Sequence, residues 1–380
     1  METAISAPEK KAMKIIEKLK IEKLVYKGYG LGFNDSNPIF VPNSVPGDVV
    51  NVEIEYQKKD VFFGKIKELI ERSPYRIESD CEVFGKCGGC DWLNIPYEKQ
   101  LEYKQSIINE IFRNISVGQI KKITASSQQE YYRNKSFFPI SEVQAQPVIG
   151  MFERKSHTVI SHQHCKLFPP IFAKIIESFL SYMKLANVPV YNERTGKGTA
   201  RHLGIRYSKT TGDILVVLVT RSRKLPFSKQ LVRTLTEEFP EIVGIVQNIN
   251  PKKTNTILGN ENKLLYGRAH IFEKIGKKKY KLHSSSFFQV NSGIAEQMYD
   301  FCRVHIDKND KIIDAYCGVG SIGIFVADKA AEVIGIENNI FAVQDAVANT
   351  KLNKVENCSF IKGDVEQELP TLCRKEKFNT

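Results

Sequence analysis

The sequence predicts an α/β plus β protein in which a small barrel, a central α+β region and a doubly wound parallel sheet follow one another. Short Val-rich alternating runs separated by Gly, Pro and Asn occupy residues 15–72, as is typical of a small barrel. Strand-like and helix-like runs then alternate between residues 131 and 270. After residue 311, strands and helices alternate at the spacing of a βαβαβ unit.

Length and composition fit a protein of two or three domains, because the chain has 380 residues of which 42% are hydrophobic. We expect a mobile leader at 1–14, the barrel at 15–74, the central domain at 75–290 and the first half of the parallel-sheet domain at 291–380. No apolar run reaches the ~18 residues of a membrane span, and the N-terminus lacks the apolar core of a signal peptide. We therefore predict a soluble, cytoplasmic and monomeric protein.

The net charge of +12 indicates an anionic partner. Surplus Lys and Arg can simply solubilise a surface, but nucleic acid is the partner that such a charge favours. The barrel agrees with this, because oligonucleotide-binding barrels hold single strands with basic and aromatic side chains. Its expected strands are Glu22–Tyr26, Pro38–Val41, Val49–Gln57 and Phe62–Ile70. A purely structural barrel is the alternative.

Three closely spaced cysteines follow the barrel. Cys81, Cys87 and Cys90 form a C-x5-C-x2-C pattern with Gly88 and Gly89 between the last two. Glycines there let backbone amides turn toward the cysteine sulfurs, which suits a metal or cluster. Eight cysteines in a chain without a secretion signal are also unlike a disulfide framework.

A fourth ligand is needed, and Cys165 is the best candidate. Four cysteines fit a [4Fe–4S] cluster. Structural zinc is the alternative, held by four cysteines or by three cysteines with His164 or His162. Ligand chemistry alone leaves both open.

The central region begins with an amphipathic helix predicted at Tyr97–Ile115. Basic residues then accompany the strands that follow. We expect each to be a solvated charge, although as a group they suit a phosphate-facing surface. They are Arg133, Lys135, Arg154, Lys155, Arg201 and Arg206.

A glycine-rich turn follows the apolar strand Lys311–Ala315. Gly318, Gly320 and Gly323 fit GxGxxG, and Glu337 ends the next apolar run. Glycines admit a ligand close to the backbone and let a helix pack on its strand, so the pattern predicts a nucleotide-like cofactor. Such matches are weakly specific.

Two details favour S-adenosylmethionine over NAD, namely the acid Asp314 before the turn and the hydroxyl-bearing Tyr316 beside Cys317. We expect a helix at Ile322–Asp328, a strand at Glu332–Ile336, a helix at Asn339–Lys351 and a strand at Cys358–Ile361. Asp364 follows this third strand, at the edge of the sheet where ligands bind.

Taken together, these motifs resemble the RNA uracil-C5 methyltransferase family, which makes 5-methyluridine in rRNA and tRNA. The resemblance covers nearly the whole chain in order and includes a TRAM-like barrel. The matching segments are IFVPNSVPGDVV, CEVFGKCGGCDW, YRNK, RHLGIR, DILVVLVT, NINPKKTN, SFFQVNSGIAEQMY and DAYCGVGSIGI. The cysteine segment and FFQVN are much more specific than the glycine turn.

The resemblance implies a [4Fe–4S] cluster held by Cys81, Cys87, Cys90 and Cys165. It also implies a Rossmann-like methyltransferase domain that binds S-adenosylmethionine through Gln289, Tyr316, Gly318, Glu337 and Asp364. RNA is the implied substrate, and the barrel-plus-cluster architecture resembles the branch that modifies 23S rRNA.

The family's chemistry adds a cysteine thiolate to C6 of uracil, so that C5 attacks the sulfonium methyl, and a base then removes the C5 proton. In the family, both catalytic groups follow the third strand, after a DPPR-like motif. We therefore expect an incomplete parallel sheet and catalytic groups beyond residue 380. We predict no methyl transfer by these 380 residues.

Other functions remain open at this point. The chain could be a non-catalytic RNA-binding iron–sulfur protein, a cluster-bearing sensor without an RNA role, or a tRNA uracil-C5 methyltransferase.

Overall fold

The computed structural model describes residues 14–375 and 377–378. They divide into two compact units. The first contains the chain up to Ala125 together with Phe152–Ile160, and the second contains Ser126–Met151 and the chain from Ser161 onward. The predicted leader lies outside the described residues except for Lys14. The division at 14/15, 74/75 and 290/291 stays a prediction.

The first unit is built on a six-stranded sheet with the order β1-β5-β6-β4-β3-β2. β4 and β6 pair in parallel, and the other neighbours pair antiparallel. β1 also lies beside β3, as expected for a barrel. The strands are β1 (Ile15–Lys20), β2 (Lys23–Val25), β3 (Tyr29–Asn34), β4 (Asn37–Pro42), β5 (Val49–Lys58) and β6 (Val61–Glu71).

Four of these six strands were predicted, and β1 and β3 were not. β3 was missed because its sequence, YGLGFN, contains two glycines that weaken the strand signal. Both glycines are required by packing. A Cβ at Gly30 would lie 2.0 Å from Ser44 Oγ, and one at Gly32 would lie 2.5 Å from the carbonyl oxygen of Lys20.

Beyond the barrel, the first unit contains α1 (Tyr97–Ile111). α1 ends four residues before the predicted Ile115. A buried ion pair ties the connecting segment to the barrel, because the fully buried Asp48 carboxylate accepts from Arg76 and from the amide of Ser73.

The second unit contains a six-stranded sheet with the order β14-β13-β12-β11-β7-β8. β12 and β13 pair in parallel, and the other neighbours pair antiparallel. β9 and β10 form a separate two-stranded ribbon, which belongs to the first unit except for Met151. The elements are β7 (Lys135–Val143), β8 (Gln146–Ile149), β9 (Met151–Phe152), β10 (Val159–Ile160), α2 (Ile171–Leu185), β11 (Ala200–Tyr207), β12 (Ile214–Thr220), α3 (Ser228–Glu238), β13 (Ile242–Ile249) and β14 (Glu261–Gly267).

The predicted βαβαβ unit is confirmed. Its three strands are parallel, with the order β17-β18-β19. A two-stranded hairpin, β15–β16, and the last helix were not predicted. The elements are β15 (His270–Ile275), β16 (Lys278–His283), α4 (Ser292–Arg303), β17 (Lys311–Ala315), α5 (Ser321–Val326), β18 (Glu332–Glu337), α6 (Ile340–Leu352), β19 (Cys358–Lys362) and α7 (Val365–Lys375).

β12 is buried on both faces and separates two hydrophobic cores. Val216 and Leu218 pack with α2 and α3, whereas Leu215 and Val217 pack with the β15–β16 hairpin, α4 and α5. The second core thus includes residues from both sides of position 290. Among the described residues, every helix is too short or too polar to cross a membrane.

Candidate functional site

The turn after β17 leaves an open space beside its backbone. Tyr316, Gly318 and Gly320 all have positive φ, at 59°, 55° and 73°, and α5 begins at the next residue. A Cβ at Gly318 would meet no atom within 4 Å, whereas one at Gly320 would lie 2.7 Å from the Phe360 ring. Gly320 is therefore required by packing and geometry, and Gly318 lines free space where a ligand can approach the backbone.

The third glycine of the motif brings α5 close to its strand. A Cβ at Gly323 would lie 3.0 Å from Val333 and 3.1 Å from Asp314 Oδ2. The Gly323 N–H donates to Asp314 Oδ2 at 2.9 Å. Burial raises the pKa of Asp314 to about 6. In this arrangement Asp314 supports the start of α5.

Glu337 connects two loops at the carboxyl edge of the parallel strands. Its Oε2 accepts from the Gly318 N–H at 3.0 Å, and its Oε1 accepts from the Asn339 N–H at 2.7 Å. The structure thus brings together two of the predicted site residues that are nineteen positions apart. A carboxylate has about four acceptor positions, so Glu337 retains capacity for a ligand.

Asp364 and Tyr316 lie at the same edge of this sheet. Asp364 follows β19, is exposed, and accepts from the Glu366 N–H at the start of α7. Tyr316 follows β17 and is 69% exposed. Ligands bind at this edge in open parallel sheets, and both side chains are free to contact one there.

Gln289 comes from a different part of the second unit, the loop 284–291 between β16 and α4. Its side chain is half-buried. Its carbonyl oxygen accepts from Asn134 Nδ2 at 3.1 Å, and the carbonyl of Val290 accepts from the Asn134 N–H at 3.0 Å. The contacts that fix the backbone around Gln289 are therefore made by Asn134, the residue just before β7.

A half-buried lysine and a buried arginine donate to one carbonyl of this loop. Lys135 Nζ donates to the Ser286 carbonyl at 3.2 Å, and the Arg206 guanidinium donates to the same oxygen. Lys135 and Arg206 are opposite each other in the β7–β11 pair. Burial lowers the pKa of Lys135 to about 6, with the Arg206 charge adding to this effect. Burial also lowers the pKa of Arg206 to about 10, although Asp345 and Glu273 oppose this.

The expectation that the basic residues on these strands are solvated was wrong for Arg201, Arg206 and Lys135. Arg201 and Arg206 are only 5% and 4% exposed. Arg201 donates to the carbonyls of Asn250 and Lys252. The two arginines are enclosed because β11 is a central strand covered on both faces, and Lys135 lies opposite Arg206 on the neighbouring β7.

Asp345 of α6 completes this network. It is 1% exposed, its Oδ2 accepts from Ser286 Oγ at 2.6 Å, and its Oδ1 contacts His283 Nδ1. Serine, histidine and aspartate are the residue types of a nucleophilic triad. Here, however, the serine donates to the aspartate, so no base activates its hydroxyl. The group instead fixes the loop to α6.

In the first unit, Cys81, Cys87 and Cys90 are all half-buried. The Gly89 N–H points at Cys87 Sγ with a separation of 3.4 Å, as the glycine pair predicted. Burial raises the pKa of Cys87, and nearby Cys81 adds to this. Among the residues described, no three His, Cys, Asp or Glu side chains are arranged to hold a metal ion. Cys165 lies in the second unit, where it packs against the α2 core.

The barrel carries an aromatic face covered by a cation. Phe63 stacks on Phe40 and Tyr56 with ring centroids 5.2 and 4.6 Å apart, and its edge meets Tyr29. Lys155 Nζ lies 5.0–5.2 Å from the Tyr29, Tyr56 and Phe63 ring centroids. Burial acts to raise the pKa of Tyr29, but the hydrogen bonds and charges of Lys155 and Arg154 lower it overall.

A separate cleft of 620 Å³ lies at the C-terminal ends of α5 and α6. These helices run back from the carboxyl ends of the strands, so the cleft is at the opposite edge of the parallel sheet from Glu337. Its lining mixes Lys278 and Lys354 with Asp300 and the ion pair of Arg303 with Asp328. It is therefore not the cofactor site that the sequence predicted.

Comparison with known proteins finds one matching family model and several similar proteins over most of the chain. A family model described as tRNA (Uracil-5-)-methyltransferase matches residues 96–379. A protein of Halalkalibacterium halodurans described as an uncharacterized RNA methyltransferase is 34% identical over 362 residues, which cover 93% of this chain and 79% of that protein. A similarly described protein of Clostridium acetobutylicum is 36% identical over 355 residues, which cover 92% and 77%.

The fold also matches a solved structure. The Pyrococcus abyssi tRNA (uracil-54, C5)-methyltransferase in complex with S-adenosyl-L-homocysteine superimposes with a TM-score of 0.72 at 24% identity. The match covers 90% of this chain and 79% of that chain. This likeness shows that the two proteins share a fold.

The enclosure of Lys135 lowers the free energy of unfolding by an amount that depends on pH. Its folded pKa, about 6, lies below the ordinary 10.5. The unfolded chain therefore binds more protons between these values, and stability falls as the pH falls from 10.5 to 6. We expect Lys135→Met to raise the free energy of unfolding by roughly 2–4 kcal/mol more at pH 6 than at pH 9. Urea unfolding at both pH values measures this.

Lys229→Met is the matched control, because Lys229 is an exposed residue of α3 in the same unit. It should change stability by less than about 0.5 kcal/mol at either pH. An equal effect of Lys135→Met at pH 6 and pH 9 would contradict the assignment of a buried, weakly protonated lysine.

Proposed function

The chain belongs to the tRNA (uracil-5-)-methyltransferase family. On this premise we propose that it binds S-adenosylmethionine at the carboxyl edge of β17, β18 and β19, and that the methyl group of this donor is destined for C5 of uridine in RNA. The observation that carries this proposal is the contact between the Gly318 N–H and the Glu337 carboxylate beside open space. A backbone turn next to a strand-ending carboxylate is the arrangement that holds an adenosine moiety in such sheets.

Each predicted residue has a distinct role in this proposal. Glu337 accepts hydrogen bonds from the ribose hydroxyls, and Asp364 accepts from the adenine amino group. Gln289 offers a donor and an acceptor to the methionine end. Gly318 admits the ligand close to the backbone, and Tyr316 covers it with its exposed ring.

S-adenosylmethionine supplies an electrophilic sulfonium methyl, and the uracil C5 must be made nucleophilic by a thiolate added at C6. Four of the cysteines are proposed cluster ligands, and the other four do not fit this role. Burial raises the pKa of Cys317 and raises that of Cys358 to about 12, so both stay protonated at neutral pH. Cys302 and Cys373 are exposed on α4 and α7. That these 380 residues do not complete methyl transfer stays a prediction.

Charge and the barrel surface support RNA as the partner. The chain carries a net charge of +12, and the aromatic face formed by Tyr29, Phe40, Tyr56 and Phe63 lies beneath Lys155. Rings that stack on bases, combined with a cation that neutralises phosphate, are how single-stranded nucleic acid is held.

We favour 23S rRNA as the substrate, because the barrel and cysteine segment together resemble the rRNA branch of the family. tRNA is the second candidate. It is supported by the name of the matching family model and by the substrate named for the Pyrococcus abyssi protein.

We also propose a [4Fe–4S] cluster held by Cys81, Cys87, Cys90 and Cys165. Its support is the chemistry of the donor set and the Gly89 N–H directed at the Cys87 sulfur, which suits a sulfur that carries negative charge.

Donor binding can be tested at Glu337. Glu337→Gln keeps the size of the side chain but replaces one acceptor oxygen with an NH2 group. We expect the Kd for S-adenosylhomocysteine to rise at least tenfold, or about 1.4 kcal/mol, in isothermal titration calorimetry. Glu332→Gln makes the same change at the other end of β18, where Glu332 pairs with the exposed Lys311. It should change the Kd less than twofold. No binding by the unaltered chain would refute the site.

The RNA proposal is tested by incubating the chain with tritiated S-adenosylmethionine and either 23S rRNA or tRNA. We expect 23S rRNA to be retained on filters more tightly than tRNA, with an affinity that falls steeply with salt because phosphates are neutralised. We expect no tritium in the RNA. Methyl incorporation would contradict the prediction that none of the four remaining cysteines acts as the nucleophile. Retention that is the same for 23S rRNA and tRNA and does not change with salt would contradict specific RNA binding.

The cluster is tested by anaerobic purification followed by iron and sulfide analysis. We expect about four iron and four sulfide per chain and broad absorbance near ~400 nm. Cys87→Ser should abolish both signals, whereas Cys302→Ser, a change at an exposed position of α4, should leave them intact. A colourless protein loaded with zinc would show that the metal assignment is wrong.

A further inference from the structure

Two sequence motifs that lie far apart in the chain are hydrogen-bonded to each other. The YRNK segment ends in Asn134 and Lys135, and the SFFQVN segment forms most of the loop 284–291. Asn134 donates from its backbone N–H to the Val290 carbonyl at 3.0 Å. Its Nδ2 donates to the Gln289 carbonyl at 3.1 Å and to Ser292 Oγ at 3.2 Å. Asn134 is 5% exposed, so water cannot readily replace these bonds.

The other end of the same loop is held by charged groups. The Ser286 carbonyl accepts from both Lys135 and Arg206, the last residue of the RHLGIR segment. The Ser286 hydroxyl donates to the buried Asp345. Arg206 also has a buried Nε without a hydrogen-bond partner. Three elements, β7, β11 and α6, therefore converge on one residue of the loop.

Between these anchors the loop has little freedom. Phe288 is 3% exposed and packs in the second core, with its ring centroid 5.6 Å from that of Tyr280. Residues 286, 288, 289 and 290 are thus each fixed, by hydrogen bonds or by packing. The Gln289 side chain, which is half-buried, projects from a backbone whose position is set before any ligand arrives.

We infer that Asn134, Lys135 and Arg206 are positioning residues, which fix the backbone of Gln289 so that its amide is preorganised for the methyl donor. The inference rests on the proposed binding of S-adenosylmethionine by Gln289. A preorganised group loses less conformational freedom on binding, so loosening the loop weakens affinity even where no contact to the ligand is removed.

The first test replaces Asn134 by Asp, which keeps the shape but sets a carboxylate oxygen against the Gln289 carbonyl. We expect Asn134→Asp to raise the Kd for S-adenosylhomocysteine at least tenfold, measured by calorimetry well below the unfolding temperature. Asn248→Asp is the matched control. Asn248 is also fully buried and donates to carbonyls, those of Gly259 and Glu261, at the far side of the sheet. It should lower the Tm comparably and leave the Kd within twofold.

A second variant separates positioning from general stability. Lys135→Met removes the Nζ group that donates to the Ser286 carbonyl and also removes the cost of burying this lysine, so we expect a higher Tm and a Kd that is raised three- to tenfold. A merely structural role would move stability and affinity in the same direction. This variant also decides the question if Asn134→Asp does not fold.

A double variant identifies Gln289 as the residue through which these positions act. Gln289→Ala should weaken binding, and adding Lys135→Met to it should cause little further loss. Full additivity of the two effects would overturn the inference, as would an unchanged Kd in both Asn134→Asp and Lys135→Met. Failure of the unaltered chain to bind S-adenosylhomocysteine would instead refute the proposed function.

Discussion

The carbonyl of Ser286, which accepts from the buried Arg206 guanidinium and from the Lys135 amine, is the interaction on which the second unit depends. Burying a charge is costly unless it is hydrogen-bonded or paired. Lys135 and Arg206 lie side by side on neighbouring strands, and burial together with the Arg206 charge lowers the pKa of Lys135 to about 6. The charge on Arg206 is compensated by the loop carbonyl and by Asp345. This compensation fixes α6, the loop 284–291 and the central sheet relative to one another. The parallel sheet and the central sheet consequently form one unit with a shared core.

Sequence patterns were sufficient for the parallel strands because each is a short, largely apolar run between turn or helix signals, although only β18 is mostly buried. β17 and β18 read as short apolar runs followed by Gly or Glu, and their bounds were predicted within one residue. Patterns failed where packing needs residues that strands disfavour. β3 contains two glycines, and β15–β16 is rich in lysine. The second strand carries a signal, because Tyr280 and Leu282 alternate with lysines, but the first strand breaks the pattern with Phe272 on the outer face and Glu273 on the buried face.

The candidate site likewise has a part that the sequence could predict and a part that it could not. The pairing of Gly318 with Glu337 follows from two local rules, that a tight turn needs glycine and that strand ends share an edge, and so it could be predicted. The anchors of Gln289 could not. Charge predicts solvent exposure on average, and only the position of β11 in the middle of the sheet shows that Arg201 and Arg206 are enclosed. No spacing in the sequence indicates that Lys135 and Ser286 meet.

The stability of the fold does not account for the presence of Lys135 and Arg206 at these enclosed positions. A well-packed apolar pair of similar volume is often as stable or more stable than buried charges, and burial holds the pKa of Lys135 near 6. The fold therefore carries a cost at this position. An apolar pair, however, could not donate to a loop carbonyl, and the loop would lose the anchor that precedes Phe288 and Gln289. The cost in stability is the physical consequence of fixing a polar loop inside a protein, and it is located where the proposed donor site needs its backbone to be rigid.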